Sequence, residues 1–233
     1  MEARWLARWE LEAVHGAVVT IDVLRAFTTA AYAFAAGAQE IFLVGTVAEA
    51  LAFKAQHPGV LAMGEDGGRR PKGFDLSNSP VQASRADLAG KTLVQRTSAG
   101  TQGVLAARHA ARQWCASLVC ASATAHAVRA SELGAPTYVI TGRHRDAPAA
   151  YGREDEAAAR VIEAVRLGHA YDAEAVVRQV YESPDAAGTL ALGPEHVHAD
   201  DIAYATRIDA FDFCMPVEVT PRGLRITAVS GGR

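Results

Sequence analysis

The chain has 233 residues, half of them hydrophobic, with 23 basic and 26 acidic side chains and a net charge of -3. This is enough chain to bury a full core in one domain over residues 1–233, and its arginines are dispersed among acids, which argues against nucleic acid as a partner. No apolar run is long enough to span a bilayer and the first residues lack the apolar core of a signal peptide, so a cytoplasmic protein without membrane contact is expected.

Trp5 to Val14 is ambiguous and reads as an outer strand. Val18-Val19-Thr20-Ile21 is a β-branched run and reads as a buried strand. Asp22 and Arg25 interrupt it, and Thr28-Thr29 leads into an alanine-rich helix stopped by Gly37. A carboxylate and a guanidinium therefore stand where a core strand gives way to a helix, which in open α/β sheets is the edge where ligands bind. An Asp–Arg pair that only fixes the turn would look the same at this point. Glu40 to Val44 is a second strand. Thr46 and Glu49 form a capping box for a helix ended by His57-Pro58-Gly59. Val60 to Met63 is a third strand, followed from Gly64-Glu65-Asp66 by a polar loop reaching Pro80, long enough to be functional.

Thr92 to Arg96 is the fourth strand, and Thr97-Ser98-Ala99-Gly100-Thr101 opens an alanine-rich helix reaching Arg112. Ser117 to Ala121 with a helix from Thr124 to Leu133 repeats the unit, and Thr137 to Thr141 adds another strand. Glu154 to Leu167 is an amphipathic helix closed by Gly168, with a second from Asp172 to Tyr181 and a short one near Asp200 to Thr206. Pro216–Val219 and Leu224–Thr227 flank a hairpin turn at Thr220-Pro221-Arg222-Gly223. The pattern predicts an α/β fold, three-layer α/β/α, with a largely parallel mixed sheet whose hairpin forms an antiparallel edge.

Polar groups recur just after strand ends: Asp22 and Arg25, Glu65 and Asp66, Thr97 to Thr101, and Gly142 with Arg143. Parallel strands would bring these loops to one sheet edge. The Thr97–Thr101 segment offers hydroxyls and N–H groups at a helix start, suited to an anion or to plain capping. Gly73 to Pro80 offers a carboxylate, Asp75, and an amide, Asn78, although a turn uses the same residues. Asp22, Glu65, Asp75, Glu154 and Asp155 form a carboxylate pool competent for Mg²⁺, a hard cation that takes oxygen ligands. Cys115, Cys120 and Cys214 read as buried reduced thiols. The GxSxG, GxxxxGK[ST] and GxGxxG patterns are missing, which disfavours a serine hydrolase, a P-loop enzyme and a dinucleotide enzyme.

In order along the chain, Ile21-Asp22-Val23-Leu24-Arg25-Ala26-Phe27-Thr28-Thr29, Gly64-Glu65, Gly73-Phe74-Asp75-Leu76-Ser77-Asn78-Ser79-Pro80, Thr97-Ser98-Ala99-Gly100-Thr101, Glu154-Asp155 and Asp200-Asp201-Ile202-Ala203-Tyr204 resemble the 2-phosphosulfolactate phosphatases. Two positions depart from that pattern: Ala99, where the family usually has Asn, and Ser77, where it tends to Gly. The resemblance implies a Mg²⁺-dependent phosphatase that converts 2-phosphosulfolactate to sulfolactate and phosphate, a step toward coenzyme M. It implies catalytic roles for Asp22 and Arg25, and phosphate binding by Thr28, Asn78, Thr97, Ser98, Gly100 and Thr101. Metal ligands would come from Asp22, Glu65, Asp75, Glu154 and Asp155. Arg143 or Arg145 could grip the substrate's acid groups, and the attack could come from water, the favoured route, or from Asp22. A paralogue acting on another small phosphorylated hydroxy acid, and a non-catalytic binder of such metabolites, are the rival readings. The apolar helices and the tryptophans Trp5, Trp9 and Trp114 permit a homodimer.

Overall fold

The computed structural model describes residues 2–11 and 14–230. Along the chain run β1 (Arg4–Ala7), β2 (Ala17–Ile21), α1 (Ala26–Ala35), β3 (Glu40–Leu43), α2 (Val47–Gln56), β4 (Leu61–Gly64), β5 (Leu76–Ser77) and α3 (Pro80–Arg85). They continue with β6 (Thr92–Arg96), α4 (Gly100–Ala106), β7 (Arg112–Ala116), α5 (Ala121–Ala130), β8 (Thr137–Ile140) and α6 (Arg153–Leu167). The last third holds α7 (Ala173–Tyr181), α8 (Pro184–Leu190), α9 (Asp201–Ala205), β9 (Phe213–Thr220), β10 (Gly223–Ile226) and β11 (Val229–Ser230). Of the outer strand expected over Trp5–Val14 only the first part forms, as β1 at the sheet edge; the chain turns at residues 8–10, and residues 12 and 13 lie outside the described residues.

The local signals act as chemistry dictates. Thr46 and Glu49 close a reciprocal capping box on α2, Asp172 caps α7, and α6 ends on Gly168 at φ 74°, a left-handed conformation that glycine adopts without strain. All three cysteines are buried and unpaired, and burial raises their thiol pKa values.

The fold is α/β with a curled, largely parallel mixed sheet in the order β1-β8-β2-β7-β9-β10-β3-β6-β4-β5, and β11 added on β9. The β9–β10 hairpin is not at the edge. It sits in the middle, antiparallel to β7 on one side and to β3 on the other. The parallel halves β1-β8-β2-β7 and β3-β6-β4-β5 therefore run in opposite senses, and parallel direction alone does not bring their carboxyl ends together. The helices do so. α1, which follows β2, packs on Ile41, Met63 and Leu93 of the other half. α4, which follows β6, presses Gly103 against Thr20 and Thr141. The two helices cross on one face of the sheet, and Gln95 Nε2 of β6 donates to the Ala26 carbonyl at the start of α1, 2.9 Å away. On the other face α5 and α6 cover Val19, Ile21, Trp114, Tyr138 and Ile140, while α2 covers Phe42, Ala62 and Val94. Trp114 is core, 1% exposed.

Two predicted elements differ. The alanine-rich helix ends at Ala106 rather than at Arg112, and Arg112–Ala116 is strand β7. The run Leu118–Cys120, expected as a strand, is a single 3₁₀ turn. Gln113 explains the shift: it is buried in β7 and its amide donates to Thr20 Oγ1 of β2 at 2.9 Å, a tertiary partner that local propensity does not register.

Candidate functional site

The turn after β2 is built by its own side chains. Asp22 Oδ1 accepts the Ala26 N–H at 2.8 Å, closing the first turn of α1, and Thr28 Oγ1 donates to the Val23 carbonyl at 2.8 Å. Thr28 is thus a brace of the turn. The Leu24–Arg25 peptide bond is cis. Arg25 is buried: its Nη1 meets Asp201 Oδ2 at 2.9 Å and the His196 carbonyl at 3.1 Å, and its guanidinium also feels the charges of Glu65 and Asp22. Asp201 also accepts Ser79 Oγ at 2.6 Å and the N–H groups of His198 and Val81. Burial pulls the Arg25 pKa down and Asp201 opposes that pull.

Asp22 itself faces a cavity of about 180 Å³. Asp155 and Glu154, from the first turn of α6, line it, as does Asp185 from α8. Asp155 is fully engaged: Oδ1 accepts the Val23 N–H at 2.8 Å, and Oδ2 accepts the Gly142 N–H at 2.9 Å. Asp185 accepts the Gly152 N–H at 3.0 Å. Glu154 differs, since its Oε2 is buried with no partner among the described residues. Burial pushes the Asp22 pKa up to about 6, helped by the charge of Glu65. Burial, followed by neighbouring carboxylates, drives Glu154 and Asp155 well above the usual range. Like charges desolvated side by side cannot all stay ionised without a cation.

The segment after β6 contributes the opposite wall through Ser98 and Ala99. Gly100 lies so close to Asp22 that an added Cβ would stand 2.7 Å from its Oδ2. Thr97 and Thr101 cap each other: Thr97 Oγ1 accepts the Thr101 N–H at 3.0 Å, and Thr101 Oγ1 accepts the Thr97 N–H at 2.9 Å. The position of the expected anion is partly filled from within, because Glu65 accepts both the Ser98 N–H and Ser98 Oγ, and also the Gly68 N–H. Arg96 holds that loop through the Glu65 carbonyl and the Asp66 carboxylate, each at 2.7 Å.

The structure therefore gathers Asp22, Glu154, Asp155, Ser98 and Gly100, with Glu65 one hydrogen bond behind Ser98. Asp75 is not brought there: both its oxygens bond Lys54 Nζ and Oδ2 accepts the Ala62 N–H, on the α2 side of the sheet. Asn78 is buried between Ser77 and Ser79, which line a separate, larger cavity of about 370 Å³, and its Oδ1 has no partner among the described residues. Arg143 is tied to Glu156 at 2.6 Å, and Arg145 lies 5.3 Å from the Trp9 ring. Sequence reasoning passed over Asp185 and Arg8 as site residues. Asp185 follows Ser183-Pro184, an N-cap and first-turn signal that does mark a helix start. Nothing local marks Arg8, which enters from the edge strand.

Among the described residues no three His, Cys, Asp or Glu side chains form a group that could hold an ion unaided. Mg²⁺ does not require one, since it usually takes one or two carboxylates and completes its shell with waters and substrate oxygens. Asp22 and Glu154 suit that role best. Asp155, Glu65 and Asp75 spend their oxygens on protein donors, whereas Glu154 lines the cavity with Asp22 and keeps an oxygen unpartnered among the described residues.

A family model described as 2-phosphosulpholactate phosphatase matches residues 6–220. The chain is similar to a protein named probable 2-phosphosulfolactate phosphatase from Bacillus subtilis (strain 168), 32% identical over 201 residues that cover 86% of each chain. A protein of the same name from Thermoplasma volcanium is 30% identical over 198 residues, covering 85% of this chain and 87% of its own. Another, from Deinococcus radiodurans, is 39% identical over 144 residues, or 62% and 59% of the two chains. Among the described residues no helix is long and apolar enough to cross a membrane.

Proposed function

The chain belongs to the 2-phosphosulfolactate phosphatase family, and from that premise we propose that it hydrolyses the phosphoester of 2-phosphosulfolactate, releasing sulfolactate and inorganic phosphate at the Asp22 cavity. The observation that carries this reading is Glu154, a cavity-lining side chain beside Asp155 and Asp185 whose Oε2 is buried with no hydrogen-bond partner among the described residues. Such an arrangement is stable when a divalent cation completes it. Mg²⁺ is the proposed ion, with Asp22 and Glu154 as the carboxylates that would hold it, and when bound it supplies positive charge against the phosphoryl oxygens.

The protein's own groups do the remainder. Asp155 fixes the geometry by gripping the N–H groups of Val23 and Gly142, tying the turns after β2 and β8 together. Ser98 and Gly100 are the proposed phosphate-side positions of the α4 turn, which requires Ser98 to release the N–H and hydroxyl it gives Glu65, while Thr97, Thr101 and Thr28 hold it and the β2 turn in shape. Water is the proposed nucleophile. It adds to phosphorus, the ester P–O bond breaks with its electron pair leaving on the sulfolactate oxygen, and that oxygen takes up the proton the water loses. Positioning and charge neutralisation account for most catalysis in phosphoryl transfer. Arg25, paired with Asp201, positions the turn after β2.

The same reading places the enzyme in the cytoplasm, in a route of the coenzyme M type. Ala99 lines the cavity, which favours a paralogue acting on another small phosphorylated hydroxy acid as the second reading. A panel of phosphoesters assayed for phosphate release, with Mg²⁺ and with excess EDTA, decides. The expected result is Mg²⁺-dependent release with 2-phosphosulfolactate ranked first. A different first-ranked ester would favour the paralogue, and binding without release would leave only a metabolite binder.

A further inference from the structure

Among the described residues four carboxylates, Asp22, Glu154, Asp155 and Asp185, line the Asp22 cavity, and one arginine, Arg8, stands with them. Arg8 follows the edge strand β1 and reaches across β8, where its Nη1 donates to the Thr141 carbonyl at 2.7 Å and the Arg143 carbonyl at 3.4 Å. Its side chain lines the cavity and feels the charge of Asp22. Its Cζ also lies 5.5 Å from the Trp9 ring, which carries Arg145 at 5.3 Å. Two carbonyls and an aromatic face thus fix the guanidinium in place, and among the described residues Nη1 alone spends donors on the protein. Of the neighbouring arginines, Arg25 is ion-paired with buried Asp201 and Arg143 with Glu156, and Arg145 stands over the Trp9 ring.

A substrate bearing a phosphate, a carboxylate and a sulfonate brings more negative charge than one ion at Asp22 and Glu154 can meet. We propose that Arg8 is the specificity residue of this site, binding the carboxylate or sulfonate of the substrate through its free guanidinium edge while the phosphate faces Asp22. The proposal rests on the reading of the cavity as the 2-phosphosulfolactate site. It follows from the fork geometry of arginine, which pairs planar or tripodal oxyanions with more than one N–H.

Calorimetric titration of the full chain with sulfolactate, and separately with inorganic phosphate, tests it in the wild type, Arg8→Ala and Arg8→Lys. Loss of a charged hydrogen-bonding partner weakens binding about 10- to 100-fold. Arg8→Ala is therefore expected to weaken sulfolactate by that factor and leave phosphate within about twofold, with Arg8→Lys recovering part of the loss. Phosphate binding retained by Arg8→Ala also shows that the variant is folded. Equal weakening of both ligands, unchanged sulfolactate affinity, or no sulfolactate binding by the wild type would each overturn the proposal. Failure of the functional reading looks different: sulfolactate binding would depend on Arg8, yet the wild type would release no phosphate from 2-phosphosulfolactate.

Discussion

Asp22, Glu154 and Asp155 have pKa values raised by burial, and that has a consequence for stability. Between about pH 5 and pH 8 the folded protein holds protons that the unfolded chain, with ordinary carboxylate values, has released. Stability contributed by these groups is therefore present at the acid end of the window and lost as pH rises through about 6 and above. In EDTA, the urea midpoint is expected to fall from pH 5 to pH 8, and Glu154→Gln should flatten the fall. A midpoint that rises across this range, or an unchanged slope in the variant, would show that the cluster does not titrate as described. Glu40 and Glu163, whose pKa values are lowered, lose their contribution below this window and do not confuse it. At this scale the sequence was half legible. Asp22, Glu154 and Asp155 could be named because acids at strand ends and helix starts stand out. Asp75 looked equally eligible, and only the tertiary position of Lys54 removes it.

At the scale of elements, one carboxylate ties four segments. Asp201 of α9 accepts from Arg25 at the start of α1, from Ser79 and Val81 at the start of α3, and from His198 in the preceding loop. Removing one partner of a buried pair leaves the other charge unmet, at a cost of about 3–5 kcal/mol. Asp201→Ala is expected to lower the unfolding free energy by about that amount in urea titration, and a loss below about 1 kcal/mol, as for an exposed pair, would contradict the network. The capping box of α2, the αL end of α6 and the hairpin turn were legible because each is set by neighbours in sequence. β7 was not, since Gln113 is held by β2, and neither was α8, which lies in a stretch lacking a strong apolar period.

The whole molecule hides its main topological fact from the sequence. Alternating strands and helices announce a parallel sheet, and most pairings are parallel, but the position of the β9–β10 hairpin within the order is set by contacts more than a hundred residues apart. The hairpin reverses one half against the other, so the loops after β2, β8 and β6 meet through crossing helices and a curled sheet. The site is thus assembled from both halves: Asp22 and Asp155 from one, Ser98 and Ala99 from the other. The central claim is that this junction is where the phosphoester is cleaved. Its most direct test is phosphate release from 2-phosphosulfolactate, in Mg²⁺, by the wild type and by Asp22→Asn, whose amide oxygen can still accept the Ala26 N–H and keep the turn. Loss of one of the two proposed Mg²⁺ carboxylates is expected to lower the rate at least about 10- to 100-fold, the loss that even an outer-shell partner of a metal site brings, in protein that still unfolds cooperatively. Turnover by Asp22→Asn within threefold of the wild type would contradict the account.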